Sequence, residues 1–308
     1  MQGKAIRVRG TVQGVGFRPF IWHLAKQHSL LGAVWNDEQG VMIHVWGSEQ
    51  QLSDFIQHIP LQLPSLADIL ALECSALNSP PAYDTFQIIS SQRNNLAQTT
   101  ISADAATCGD CLAEINDPYN RRYRYPFTNC THCGPRLSII KAIPYDRCHT
   151  SMAEFSMCPA CQAEYDDPGN RRFHTQANCC PDCGPKVFLE DALGQTIPID
   201  DVIKHAAQLI QQGHIIAFKG LGGFHLVCDA SNEAAVAKLR QRKQRYAKPF
   251  ALMAQDSAMI SEYAQVSLVE QQALSDKRAA IVILQQRGKE LAQGIAPDVD
   301  KFGFMLPY

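Results

Sequence analysis

Residues 6–21 read Ile6-Arg-Val-Arg-Gly-Thr-Val-Gln-Gly-Val-Gly-Phe-Arg-Pro-Phe-Ile21. Ile6, Val8 and Val12 alternate with Arg7, Arg9 and Thr11, the period-two pattern of a half-buried strand. Beyond Pro19, Phe20, Ile21, Leu24 and Leu31 keep helical spacing. Between strand and helix lies Gln13-Gly-Val-Gly-Phe-Arg18. Glycines at a helix N-terminus let backbone N–H groups turn inward as an anion nest, and Arg18 adds a guanidinium that can grip a phosphate with two N–H bonds. A tight strand-to-helix turn with a surface arginine would use the same residues. Farther along, Val41, Ile43 and Val45 alternate with Met42, His44 and Trp46. Ser48 and Gln51 form a capping-box pair opening a helix whose face is Leu52, Phe55, Ile56 and Ile59 and which Pro60 closes. Apolar segments near 69–74 and 85–89 complete a β-α-β-β-α-β order, so residues 1–91 are expected to form a ferredoxin-like domain.

The chain has 308 residues and a formal net charge of −2, which argues against a broadly basic nucleic-acid binder. With 46% hydrophobic and 19% charged residues it can bury several cores. No apolar run reaches membrane-span length, and Met1–Gly10 lacks the apolar core of a secretion signal. A membrane partner is excluded and a cytoplasmic location is expected.

Of 12 cysteines, all but Cys74 and Cys228 fall within residues 108–183. Eight form C-x-x-C pairs: Cys108/Cys111, Cys130/Cys133, Cys158/Cys161 and Cys180/Cys183. The halves are related by a shift of 50 residues, which also superimposes Asn120-Arg121-Arg122 on Asn170-Arg171-Arg172 and Gly134-Pro135 on Gly184-Pro185. This is an internal duplication. Each half offers four thiolates, enough to close a tetrahedron with no position left for a substrate water, so two structural Zn²⁺ ions are expected. Without a secretion signal, disulfides are disfavoured. Iron suits four-cysteine sites too. Cys179 breaks the register and is left out, His132, His149 and His174 could each displace a cysteine ligand but are read first as structural or surface residues, and pairing within or across the repeats stays open.

Residues 92–103 are polar and read as a linker, the cysteine-rich domain spans 104–190, and an α/β pattern follows over 195–308. Ile215–Phe218 reads as a buried strand, Leu226–Cys228, Phe250–Met253 and Ile281–Leu284 as further strands, and 232–246 as a helix. Lys238 to Lys248 holds six bases and no acids. A solvated helix face, an RNA-binding patch and a triphosphate cradle all fit such a run. The end at Phe304–Tyr308, with no capped helix or polar tail, suggests the front part of a longer protein.

Gly10-Thr-Val-Gln-Gly-Val-Gly-Phe-Arg-Pro19, with Trp35-Asn36-Asp37 and Gly40-Val41, resembles acylphosphatase over residues 1–91. The resemblance implies that the loop of Gln13, Gly14, Val15, Gly16, Phe17 and Arg18 binds the phosphate of an acyl phosphate, while Asn36 orients the attacking water. The domain order, with Lys219-Gly-Leu-Gly-Gly-Phe-His-Leu-Val-Cys-Asp-Ala230 in the third piece, is similar to the HypF family, carbamoyltransferases of nickel–iron hydrogenase maturation. That family implies hydrolysis of carbamoyl phosphate, formation of carbamoyl adenylate from carbamate and ATP with Mg²⁺, and transfer to the C-terminal cysteine of HypE. The third piece resembles the YrdC-like domain, which implies nucleotide contacts from Lys219, Arg242, Lys243, Arg245 and Lys248, while His225 and Asp229 read as local structure. Arg278-Ala279-Ala280 departs from the family's usual Arg-Pro at that point. The nucleotide domain is expected to be incomplete at its C-terminus. The overall expectation is an α+β multidomain chain, with a zinc-ribbon module binding RNA or protein, or an acylphosphatase with scaffold domains, as competing readings.

Overall fold

The computed structural model describes residues 1–92 and 100–308, so most of the linker read over 92–103 lies outside the described residues. The chain divides into two compact units, Met1–Pro185 and Lys186–Tyr308.

The first unit opens with β1 (Gln2–Thr11), α1 (Phe17–Gln27), β2 (Leu31–Asp37), β3 (Gly40–Gly47), α2 (Glu49–Leu61), β4 (Asp68–Leu77) and β5 (Phe86–Ile88). The strands form one sheet in the order β4-β1-β3-β2-β5, the expected ferredoxin-like sheet with a fifth strand added parallel to β2. Ile6, Val8, Val41, Ile43 and Val45 face a core filled by Ile21 and Leu24 of α1 and by Leu52, Phe55 and Ile59 of α2. The apolar spacing of both helices thus covers one face of the sheet, each fully buried side chain contributing about 1.5–3 kcal/mol. The capping box forms as read: Gln51 N donates to Ser48 Oγ at 3.3 Å and Ser48 N to Gln51 Oε1 at 2.9 Å. Two boundaries differ from the sequence reading. Leu31 opens β2 instead of extending α1, because the chain reverses at Ser29, whose φ is 53°. Pro60 sits inside the last turn of α2, which runs on to Leu61.

The cysteine-rich segment carries α3 (Gly109–Asn116) and α4 (Pro159–Asp166), which occupy equivalent places in the duplication. Little else in it is regular.

The second unit contains α5 (Val202–Gln211), β6 (Ile216–Gly220), β7 (Gly223–Val227), α6 (Glu233–Lys243), β8 (Ala251–Met253), α7 (Ser257–Tyr263), β9 (Ala264–Gln265), α8 (Leu268–Leu274), β10 (Val282–Gln286) and β11 (Lys301–Met305). Its main sheet runs β8-β11-β10-β9 over a core of Val236, Leu252, Ile260, Leu274, Leu284, Phe302 and Phe304. β6 and β7 form a separate two-stranded pair. The expected burial of Ile215–Phe218 is therefore not met: Phe218 is 54% exposed on that pair.

Candidate functional site

The loop between β1 and α1 takes its shape from Gly14 and Gly16, whose φ angles of 72° and 75° are left-handed. A Cβ at Gly14 would stand 3.1 Å from Arg136 Cδ, and one at Gly16 3.1 Å from Thr131 Cβ, so a side chain at either position would press on the cysteine-rich segment. Gly16 is the N-cap of α1 without a side-chain cap, which leaves first-turn N–H groups for an anion. Val15 and Phe17 are buried in the domain core, so their part in the loop is made by backbone. Gln13 anchors it: Nε2 donates to Asp37 O at 2.6 Å and Gly40 O at 2.8 Å, while Oε1 accepts from Tyr145 N at 2.9 Å.

Arg18, 8% exposed, and Asn36, 1% exposed, meet at this loop. With its amide oxygen turned to the guanidinium, Asn36 accepts from Arg18 Nε and Nη2 at 3.3 Å each. The sequence placed these residues on separate elements, and the fold brings them together.

The facing wall comes from the cysteine-rich segment. Arg18 Nη2 pairs with Asp146 Oδ1 at 2.8 Å and lies 3.4 Å from Tyr145 O. Arg136 Nε donates to Gly14 O, and its terminal nitrogens donate to the carbonyls of Cys133, Pro135, Cys130 and Thr131 at 2.8–3.1 Å. One guanidinium thus ties the phosphate loop to a cysteine knuckle. Gly14, Gly16, Arg18 and Asn36 on one side, with Thr131, Arg136, Tyr145, His174, Thr175 and Gln176 on the other, line a cavity of about 30 Å³. That is room for about two waters. Burial and then the charge of Arg18 push the His174 pKa down to about 4, so its imidazole is neutral at pH 7.

The eight paired cysteines gather as Cys108, Cys111, Cys130 and Cys133, and as Cys158, Cys161, Cys180 and Cys183, so ligand pairing is within each repeat. Neighbouring sulfurs lie 3.5–3.8 Å apart in the first cluster and 3.6–3.8 Å in the second. A tetrahedron of sulfurs about 2.3 Å from a central zinc has edges of about 3.8 Å, whereas a disulfide would bring sulfurs to about 2.05 Å. Both clusters therefore fit a tetrahedral metal ion. Cys179 stays outside, accepting from Tyr125 OH at 3.6 Å. His149 Nδ1 lies 2.7 Å from Pro144 O, and neither it nor His132 nor His174 belongs to a cluster.

The duplicated Asn-Arg-Arg motif crosses between repeats. Arg121 Nη2 donates to Cys161 Sγ at 3.4 Å, and Arg171 Nη1 to Cys111 Sγ at 2.9 Å. Arg122 grips Glu164 at 2.6 and 2.8 Å, and Arg172 grips Glu114 likewise. Each repeat thus places positive charge on the other's thiolates, a link that only the fold reveals.

In the second unit, Lys219 lies on β6 with Nζ 4.8 Å from the Phe224 ring. Arg242 and Lys243 close α6, and Arg245 folds back onto Lys248 O at 3.1 Å and Pro249 O at 2.6 Å. The organising residue of this loop is Arg240, which donates to the carbonyls of Arg245, Lys248, Ile295 and Gly294 and stacks on Phe250 at 4.5 Å. Asp229 caps its own turn at Ser231 N, 2.8 Å, and His225 Nε2 meets Tyr308 OH at 2.7 Å.

Comparison with known proteins follows these parts in order. Residues 4–88 match the acylphosphatase family, 107–140 and 157–190 the family described as HypF finger, and 208–308 the Sua5/YciO/YrdC family described as telomere recombination. The carbamoyltransferase HypF of Rhodobacter capsulatus is 51% identical over 308 residues, which is 100% of this chain and 40% of that protein. A crystal structure of full-length HypF in the phosphate- and nucleotide-bound form superposes with a TM-score of 0.93 at 45% identity, covering 100% of this chain and 40% of that one. HypF of T. kodakarensis gives 0.88 at 42% identity, with 100% and 39% covered. Carrying an acylphosphatase-like domain, two HypF fingers and a YrdC-like domain, and spanning about 40% of the length of this curated relative, the chain belongs to the HypF carbamoyltransferase family.

Proposed function

We propose that the loop at Gln13–Arg18 hydrolyses carbamoyl phosphate to carbamate and inorganic phosphate. The observation that carries this is the contact of Arg18 with Asn36 beside a helix N-terminus, in a cavity that both residues line. Loop N–H groups and the Arg18 guanidinium offset the charge of the phosphoryl oxygens, and the Asn36 amide holds a water for in-line attack. The phosphate–carbamoyl bond is already activated, so positioning and charge suffice without a strong base. Each four-cysteine cluster holds a zinc ion through Cys108, Cys111, Cys130 and Cys133, or through Cys158, Cys161, Cys180 and Cys183. With four protein ligands the ion supplies structure and leaves no coordination position for chemistry.

Residues 195–308 take the carbamate onward in this reading. Lys219, Arg242, Lys243, Arg245 and Lys248 face the phosphates of an ATP·Mg²⁺ that adenylates it with release of pyrophosphate. The acylphosphatase-like, cysteine-rich and nucleotide domains are assigned to 1–91, 104–190 and 195–308. The full reaction of the family, transfer to a HypE-type acceptor for nickel–iron hydrogenase maturation, is proposed for the longer protein of which such a segment forms part. Among the described residues no helix is long and apolar enough to cross a membrane, and a cytoplasmic location is part of this proposal. A nucleic-acid-binding reading of the cysteine-rich segment is weakened because Arg121, Arg122, Arg171 and Arg172 pair with Glu164 and Glu114.

The test is phosphate release from carbamoyl phosphate. Arg18→Ala and Asn36→Ala are each expected to lose on the order of 10²–10³ in kcat, the effect of removing one charge-stabilising donor, with zinc content unchanged. A folded, zinc-loaded wild-type chain that releases no phosphate would overturn the proposal.

A further inference from the structure

Carbamoyl phosphate and acetyl phosphate share the phosphoryl group and the carbonyl. They differ in an NH₂ in place of a CH₃ of nearly the same size. Arg18, Asn36 and the loop N–H groups address parts common to both, so they cannot tell the two apart. Discrimination has to come from the facing wall of the cavity.

Most polar groups on that wall are engaged within the protein. Thr131 Oγ1 donates to Arg171 O at 3.1 Å. Gln176 Nε2 donates to Tyr165 OH at 3.0 Å and His174 O at 2.7 Å, and its Oε1 accepts from Arg147 N at 2.9 Å. Arg136 is committed to backbone carbonyls. Thr175 is different. It is 4% exposed and lines the cavity, and its Oγ1 has no hydrogen-bond partner. An orphaned buried hydroxyl costs about 1–3 kcal/mol, so it calls for an explanation such as a ligand group that satisfies it.

The duplication supplies an internal comparison. Thr175 is the counterpart of Tyr125, and the preceding residues, His174 and Arg124, share a left-handed backbone with φ of 53° and 56°. The backbone is thus alike, and the side chains have diverged. Tyr125 packs in a core with Ile139, Met152 and Ala177 and donates to Pro185 O at 3.0 Å. Its counterpart in the second repeat is a small hydroxyl residue at the cavity. His174 beside it adds no positive charge at neutral pH, which suits a neutral polar group better than a second anion.

We propose that Thr175 is a specificity-determining residue, its Oγ1 accepting a hydrogen bond from the carbamoyl NH₂ and so selecting carbamoyl phosphate over acyl phosphates that end in a methyl group. The proposal rests on the carbamoyl phosphate reading above.

The experiment measures kcat/KM for carbamoyl phosphate and for acetyl phosphate on the 308-residue chain, with Thr175→Val and Thr175→Ser as variants. Valine keeps the shape and removes the acceptor, and serine keeps the acceptor. Loss of a partner to a buried hydrogen-bonding group carries strong discrimination, so the carbamoyl-to-acetyl ratio is expected to fall at least about tenfold in Thr175→Val and to stay within about threefold of wild type in Thr175→Ser. An unchanged ratio in Thr175→Val overturns the proposal, as does a wild-type chain that cleaves both substrates equally well. If Thr175→Val does not fold, serine decides, and a collapsed ratio there overturns it. A wild-type chain that cleaves neither substrate defeats the underlying reading instead, which keeps the two failures apart.

Discussion

Arg18 and Asp146, 128 positions apart in sequence, form an ion pair of 2.8 Å at the phosphate loop. The guanidinium that would bind a phosphoryl group is therefore already neutralised by a carboxylate of the cysteine-rich segment. An incoming anion must compete with Asp146 for Arg18. Asp146→Asn removes the competitor and one nearby negative charge. The two side chains are only 9% and 20% exposed, so the pair exceeds the roughly 0–1 kcal/mol of a surface ion pair, and the inhibition constant of inorganic phosphate should fall at least about fivefold, read as competitive inhibition of carbamoyl phosphate hydrolysis. Unchanged or weaker phosphate inhibition would show that Asp146 positions Arg18 and does not compete with the substrate.

The crossed arginines make a prediction about metal retention. Arg171 belongs to the second repeat yet donates to Cys111 of the first, and Arg121 does the reverse to Cys161. Hydrogen bonds to ligand atoms hold them in place and balance the charge of a four-thiolate site, and losing such a partner typically costs about 10–100-fold in metal affinity. Arg171→Ala should therefore loosen the cluster of the other repeat. Under chelator challenge, alkylation read by mass spectrometry should reach Cys108, Cys111, Cys130 and Cys133 before the second set. Arg121→Ala should invert the order. Preferential labelling in the mutated repeat itself would sink this account.

The readable parts of the sequence were those governed by local spacing. Ile6 and Val8 alternate because β1 buries one face, and the C-x-x-C pairs fall where two knuckles converge on one ion. The far wall of the cavity was invisible, since Asp146, His174 and Thr175 lie in irregular backbone with no period to mark them. Spacing offers His174 a structural or surface role, or at most a place as a substitute metal ligand, whereas the fold sets it beside Arg18. Leu31 continued the helical spacing by coincidence, because nothing in an apolar pattern announces a chain reversal at Ser29. The basic run after Lys238 hid its inward member. Arg240 is 9% exposed and tied to five backbone carbonyls, but a string of like charges does not reveal which one the loop folds around. β9 spans only Ala264–Gln265, too short for periodicity to register.

Acid should weaken the cysteine-rich segment through Glu164. Burial works to raise its pKa, but charge-assisted hydrogen bonds from Arg122 and Arg121 outweigh it and hold the carboxyl down at about 2. Glu114, held by Arg172 and Arg171, shifts the same way. A carboxylate depressed on folding contributes stability above its unfolded pKa, near 4.3, and the contribution is lost as pH falls through the folded value. For Glu164 the difference between those values corresponds to about 3 kcal/mol, present in full above about pH 5 and lost progressively toward pH 2. Glu164→Gln removes the contribution at every pH and leaves Arg122, 1% exposed, without its counter-charge. The melting temperature of wild type minus that of the variant should be large at pH 7 and shrink steadily below pH 5. Arg121 bridges Glu164 and the Cys161 sulfur, so zinc content is followed in parallel to separate thiolate protonation from that of the carboxylate. A gap that stays constant from pH 7 to pH 3 would mean that the Arg122–Glu164 pair does not titrate with folding.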